Sequence, residues 1–403
     1  MQKTTNNRIY YINLLRAIAI FLVIINHGPT LRDGSVPDQL SLLFSEAAVP
    51  VFFMASGAVL LSKQAPDFKK YLRRLIMIYA AMTVWRLLYL LLAVPAGYPG
   101  ASQASASGIV NYLFFFASLD GVPSGHLWFM TAYLAVYSML PLLHSLYGSK
   151  PAREENADAS ASWNQKAFAV FFLLLLYGVS VFPMTWNVIR GRFGVTLWPL
   201  YEELNPFGRY AYTVFYFVLG GVLHKLLYRR MPALQDPFYK RFFLGLSLLM
   251  MLSGLSGLAL VARMMFGTFG WTAQYVTGAY QLSSTVFLST GMFLGVLLLS
   301  ERGESGRVIQ NQQEMQKTGS GEAGQMEPAP ESKWRRLISI LGADTMGIYY
   351  VHILLVQKIS MVFYQVDWLG ITSNVVKTLL VLLLSFLFTE AVKRIPLLRH
   401  LVH

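Results

Sequence analysis

Long apolar runs broken by short polar stretches, many of them basic, fill this chain from end to end. A helix needs about 20 mostly apolar residues to cross the hydrocarbon layer of a bilayer. Ten segments approach that length: 9–27, 43–62, 75–95, 126–147, 167–183, 210–227, 242–262, 277–299, 337–358 and 374–392. The pattern predicts an all-α polytopic membrane protein of about ten transmembrane helices, organised as a single domain over 1–403. The first segment has a basic start (Lys3, Arg8) like that of a signal peptide. Arg16 interrupts its apolar core, however, and no small-residue cleavage site follows His27, so the segment is expected to be retained. Two polar stretches, 148–165 and 301–333, read as flexible linkers. The stretch 109–125 (IVNYLFFFASLDGVPSG) is apolar but too short to span, and is expected to be re-entrant or interfacial on the outer side.

Composition supports the membrane reading. Of 403 residues, 55% are hydrophobic and 13% charged, about half the charged share of a soluble domain. So few charges do not cover a water-facing surface of this size. The net charge of +13 would point to nucleic acid in a soluble chain. Here the cations lie between apolar runs, which makes lipid the expected partner and excludes nucleic acid. With the N-terminus placed inside, 24 of the 33 Lys and Arg residues fall on cytoplasmic segments, seven outside and two (Arg16, Arg86) within spans. That bias sets both termini and both linkers in the cytoplasm. There is no cysteine, which removes disulfides, thiolate metal sites and cysteine nucleophiles together.

Polar groups inside spans are costly and therefore informative. Arg16 sits in the middle of LLRAIAIFLVIINH, and His27 follows eleven residues later. Eleven helical steps leave the two within about 20° of the same face and about 16 Å apart along the axis. One stripe thus carries a fixed cation suited to anionic or carbonyl oxygen and an imidazole suited to proton transfer near neutral pH. An arginine so placed can also serve only as a partner for a neighbouring carboxylate, and a histidine at a helix end is often simply interfacial. His126 and Trp128 open the fourth span, Arg209 the sixth, and Tyr349 and His352 lie in the ninth; Glu202 and Glu203 stand in an outer loop. The remaining histidines (144, 224, 400, 403) sit at inner ends or in the tail and receive no role. No HExxH, GxSxG, P-loop or dinucleotide fingerprint is present, and no residue cluster has metal-ligand spacing.

These residues resemble the acyltransferase-3 family. RAIAIFLVIINH places Arg16 and His27 in the family's Arg-x10-His pattern, and VPVFFMASGAVLL is similar to its Phe-Phe…Ser-Gly segment. DFKKYLRRL resembles its Arg-rich turn, HLWFMTAYLAVYSMLPLL its His-x-Trp segment, and TMGIYYVH its Tyr/His helix. Five motifs in order cover nearly the whole chain. The nearest likeness is to the stand-alone branch that includes the enterobacterial-common-antigen O-acetyltransferase, from whose lipopolysaccharide-modifying relatives the expected absence of an extracytoplasmic hydrolase-like domain distinguishes it.

The resemblance implies a multi-pass O-acyltransferase of the bacterial inner (plasma) membrane. It would move an acyl group, expected to be acetyl, from cytoplasmic acyl-CoA to a hydroxyl of a cell-surface carbohydrate or lipid-linked glycan. His27 and Arg16 are then the expected catalytic pair, with His27 the general base. Lys69, Lys70, Arg73 and Arg74 are expected to hold the CoA phosphates. His126, Trp128, Arg209, Tyr349 and His352 are assigned to the acceptor. Acyl-CoA is a co-substrate; no bound cofactor or metal is expected. The competing reading is a transporter or flippase for a polysaccharide precursor.

Overall fold

The protein is described here from a computed structural model. It describes residues 10–27, 36–63, 65, 67–95, 102–147, 159–194, 208–228, 236–266, 279–300, 332–363, 370–396 and 398–402. Every regular element among them is helical.

The chain opens with α1 (Tyr10–His27), α2 (Val36–Ser45), α3 (Ala48–Leu60) and the long α4 (Phe68–Ala93). The short α5 (Ala106–Phe114) and a 3-10 turn at Gly125–Leu127 lead into α6 (Trp128–Ser138) and α7 (Leu140–Tyr147). Next come α8 (Ala159–Ser180), α9 (Phe182–Phe193) and, after a 3-10 turn at Gly208–Tyr210, α10 (Ala211–Tyr228). The last group is α11 (Pro237–Phe266), α12 (Ser283–Ser300), α13 (Lys333–Ala343), α14 (Thr345–Phe363) and α15 (Ile371–Lys393).

Six unbroken helical stretches are long and apolar enough to span a membrane, and three bent pairs raise the number to nine. All ten expected segments are helical, but that at 210–227 forms a shorter apolar helix, Ala211–Leu227, which falls below the spanning length. The bends have local causes. Pro141 has no N–H to continue the ladder, and α6 gives way to α7 at a 57° bend just before it. Pro183, in the first turn of α9, accompanies the 41° bend after α8. The 75° bend between α13 and α14 falls at the buried Asp344, whose carboxylate pairs with Lys393 at the end of α15; Lys393 also meets Glu390 at 2.9 Å. The 301–331 part of one expected linker and 148–158 of the other lie outside the described residues, whereas 159–165 belong to α8.

Close helix crossings at glycine hold the bundle together, as expected where lipid removes the hydrophobic drive between helices. A Cβ on Gly57 of α3 would stand 1.7 Å from the carbonyl oxygen of Phe217 on α10, and one on Gly220 would stand 2.1 Å from that of Met54. Gly254 and Gly291 make the same kind of crossing between α11 and α12, and Gly342 packs α13 on the backbone of Asn13 in α1. α3 is thereby the most enclosed helix, with Phe53, Met54 and Ala55 fully buried. At the perimeter the amphipathic order is inverted. α15 buries Asn374, Lys377, Thr378, Ser385 and Thr389 while exposing Val376, Leu379, Leu383 and Leu387. That is the pattern of a helix facing lipid with its apolar side.

Candidate active site

α1 is one uninterrupted helix, so the eleven-residue spacing of Arg16 and His27 becomes the shared stripe it predicts. His27 is the last residue of α1. Its ring lies 5.4 Å, centre to centre, from that of His352 on α14. His352 is in turn 5.4 Å from His126 in the 3-10 turn before α6, and Tyr349 lies 5.5 Å from both His126 and His352. Four sequence-predicted residues from three separate segments therefore meet. The rings do not form a metal centre: among the described residues no group of three or more His, Cys, Asp or Glu has the required geometry.

The hydrogen bonds fix how two of these rings are protonated. His352 Nδ1 lies 2.6 Å from the carbonyl oxygen of Tyr349, which can only accept, so Nδ1 carries the proton. Nε2 of His352 is then a bare lone pair, and it has no hydrogen-bond partner although the residue is 0% exposed. The hydroxyl of Tyr89 on α4 donates to the Tyr350 carbonyl at 2.9 Å. With its one hydrogen used, it can only accept from His126 Nε2, 3.3 Å away. That leaves His126 Nδ1 as a second bare, unpartnered lone pair. The Tyr349 hydroxyl donates to the His126 backbone carbonyl and ties α14 to the turn that carries His126.

A cavity of about 390 Å³ opens beside this cluster, with His27, Glu46, His126, Trp128, Tyr280 and Tyr349 among its walls. Trp128 stacks on Tyr210 at 5.6 Å and 15°, and lies 5.8 Å from Tyr280. His352 sits behind His27 and His126 rather than on the cavity wall. The side chain of Arg209 lies outside the described residues, as do Glu202 and Glu203.

Toward the inner side the cavity continues as a column of rings. Phe129, Tyr133 and Tyr137 recur every fourth residue on one face of α6, with successive centroids 6.4 and 6.3 Å apart. Phe129 touches Tyr349 at 5.1 Å. At the other end the Arg74 guanidinium stands 5.9 Å from the Tyr137 ring. Arg16 lies along this column, with Tyr133 and Arg74 as its electrostatic neighbours. Among the described residues no carboxylate is within ion-pair distance of it. A role as partner to a carboxylate therefore does not account for Arg16.

Lys69, Lys70, Arg73 and Arg74 are exposed in the first two turns of α4. Cations are on the unfavourable end of a helix there, because the macrodipole makes its N-terminus positive. Asp67 offsets this only in part, by accepting the Lys69 N–H at 3.1 Å as N-cap. A row of cations kept against the dipole is suited to a polyanion at this mouth.

Two residues escaped the sequence reading. Tyr89 is one aromatic among many in an apolar helix, and nothing in its neighbourhood marks it. Glu46 carried a signal, being a lone carboxylate between two apolar runs, and it is buried on the cavity wall.

A ring cluster with bare imidazole lone pairs, open to a cavity on one side and to an Arg-lined column on the other, is equipped to take a proton from a hydroxyl while an activated acyl group is held nearby. Comparison with known proteins agrees with that chemistry. The family described as "Acyltransferase domain" matches residues 9–390, nearly the whole chain. The protein belongs to this acyltransferase-3 family. It is a helical membrane acyltransferase, and the transporter reading has nothing in its favour. No curated protein and no solved structure matches the chain.

Proposed function

We propose that the protein transfers an acyl group, acetyl in the simplest case, from cytoplasmic acyl-CoA to a hydroxyl of a carbohydrate or lipid-linked glycan at the outer face of the bacterial inner membrane. The supporting observation is the column from Arg74 through Tyr137, Tyr133 and Phe129 to the histidines. CoA is too charged to enter lipid, but its slender pantetheine arm suits a ring-lined passage whose inner mouth bears cations for the phosphates. Lys69, Lys70, Arg73 and Arg74 serve the phosphates; Arg16 faces the thioester.

At the outer end the acceptor occupies the cavity. Trp128 offers a face for a sugar ring, and His126 Nδ1 accepts a hydrogen bond from a hydroxyl. His27 removes the proton of the attacking hydroxyl as its oxygen bonds to the thioester carbonyl. The C–S bond then breaks, and the CoA thiolate takes the proton from His27. A positioned base contributes about 10²–10⁴-fold to such a step.

The test is direct. Purified protein in nanodiscs is incubated with acetyl-labelled acetyl-CoA and an extract of lipid-linked glycans. Release of free CoA together with label in the glycan fraction is the expected result. Glycan movement across the bilayer without CoA release would replace this reading with transport.

A further inference from the structure

The arrangement of lone pairs points to a role for His352 distinct from acceptor binding. We propose that His352 is the positioning residue of His27: its Nε2 accepts the ring N–H of His27 and so presents the opposite nitrogen of His27 to the acceptor hydroxyl. This rests on the acyl-transfer reading above.

The argument is one of protons and geometry. A neutral imidazole has one N–H and one lone pair, so a histidine that works as a base must keep its lone pair toward the substrate and its N–H against something that accepts. In many hydrolytic sites a carboxylate is that acceptor. Here the ring that adjoins His27 is His352, and its free atom is of the required kind. The Tyr349 carbonyl holds the His352 proton on Nδ1, and Nε2 is bare, buried and unpartnered.

Leaving such an atom unsatisfied away from water is costly, and the ring whose donor can relieve it is 5.4 Å away. At that centre-to-centre separation two ring nitrogens facing one another stand about 3 Å apart, an ordinary hydrogen-bond length. His126 does not compete for the task. Its own bare nitrogen, Nδ1, belongs to a ring on the cavity wall, while His352 lies behind that wall. When His27 takes the hydroxyl proton it becomes an imidazolium, and the same Nε2 lone pair stabilises the charge until the thiolate receives the proton. No net charge is added to the buried cluster at rest, as a carboxylate in the same place would add.

Two isosteric amides separate this role from packing. In His352→Asn the side-chain amide falls near Nδ1: the bond to the Tyr349 carbonyl survives and the ε acceptor is lost. In His352→Gln the amide falls near Nε2: the acceptor survives and the local anchor is lost. Transfer of labelled acetyl is measured in nanodiscs for both. The expected result is a fall in kcat of at least about tenfold for Asn, with KM for acetyl-CoA within about twofold of wild type, and recovery to within a few-fold of wild type for Gln. A wild-type rate in the Asn variant, or equal losses in both variants, overturns the proposal. If the Asn variant does not fold, ¹⁵N spectra of histidine-labelled wild-type protein decide the matter, because a proton on His352 Nε2 overturns it and a proton on Nδ1 with a bare Nε2 supports it. Absence of CoA release from wild type would instead overturn the parent reading.

Discussion

The Tyr89 hydroxyl, on α4, holds the ring of His126, on the turn before α6, at 3.3 Å, and does so with its own hydrogen committed to the Tyr350 carbonyl at 2.9 Å. One side chain thus links three helices and decides which nitrogen of His126 carries a proton. The same kind of enforced choice recurs at His352. In both cases a backbone carbonyl, which can only accept, sets the direction of the bonds. The site is therefore prepared before any substrate arrives, which lowers the reorganisation needed when charge develops.

His27→Gln keeps a hydrogen-bonding group at the end of α1 but no titratable base. Acyl transfer is expected to fall by about 10²–10⁴-fold while the protein still inserts and binds acyl-CoA. The check is label transfer alongside equilibrium binding of a non-hydrolysable acyl-CoA. A Gln variant that kept more than about a tenth of wild-type transfer would make His27 a positioning residue and move the base to His126.

Arg16→Lys preserves the charge and removes the planar fork. Tyr133 and Arg74 are the electrostatic neighbours of Arg16, so the charge has no fixed carboxylate to satisfy and its use lies with a ligand. Arg and Lys are not interchangeable where two oxygens are held at once. A loss of at least about tenfold in kcat/KM is expected, about 1.4 kcal/mol in transition-state binding. Wild-type turnover in the Lys variant would reduce Arg16 to a point charge.

How much of this was legible beforehand differs between fold and site. The ten apolar segments are plain in the sequence because lipid demands an apolar run of fixed length, and all ten are helical here. The count changed because two of the runs break beside prolines and a third at Asp344, and because 210–227 makes a helix too short to span unaided. On the site, Arg16 and His27 were readable from their spacing, since helical geometry turns an interval into a direction. The meeting of His27 with His126 and His352 was not, because they are separated by hundreds of residues and joined only through packing. Tyr89 was hidden for the same reason: its importance lies in who shares its hydroxyl, and a sequence does not record that.

Arg73→Gln with Arg74→Gln removes two of the four cations at the α4 mouth. Both are exposed, so the protein loses no buried partner and should fold as wild type. KM for acetyl-CoA should rise several-fold with kcat nearly unchanged, the signature of lost ground-state binding. The difference from wild type should shrink in high salt, where ions screen exposed charges within a few ångströms. Equal KM values at low salt would leave the row as a determinant of topology alone.

Gly57→Ala tests the crossing of α3 and α10. The added carbon would start 1.7 Å from the Phe217 carbonyl oxygen, and that oxygen is backbone, which no rotamer change moves. The helices must separate along their contact, and α3 carries the buried Phe53 that packs on Phe129 at 5.0 Å. Overpacking of this kind costs about 1–3 kcal/mol and sometimes more. Thermal unfolding in detergent should show a lowered midpoint, and transfer should fall because Phe129 belongs to the ring column. An unchanged midpoint would mean the helices cross less closely than described.

Tyr89→Phe removes one oxygen and leaves the ring that packs beside His126 at 5.2 Å. Two effects follow. The Tyr350 carbonyl loses its donor in a buried place, which costs about 1–3 kcal/mol of stability. His126 loses the acceptor that fixed its proton on Nε2, so the proton can move to Nδ1 and the lone pair on the cavity side is no longer assured. The expected result is a modest fall in stability with a larger fall in transfer, raising the apparent KM for the glycan acceptor rather than for acyl-CoA. A double-mutant cycle with His126→Ala separates the effects. If Tyr89 acts through His126, its removal from the His126→Ala background should change acceptor KM little, while the stability loss at Tyr350 remains. Full additivity in acceptor KM would show that Tyr89 acts on the acceptor by another route, and that the His126 proton is set by something other than this hydroxyl.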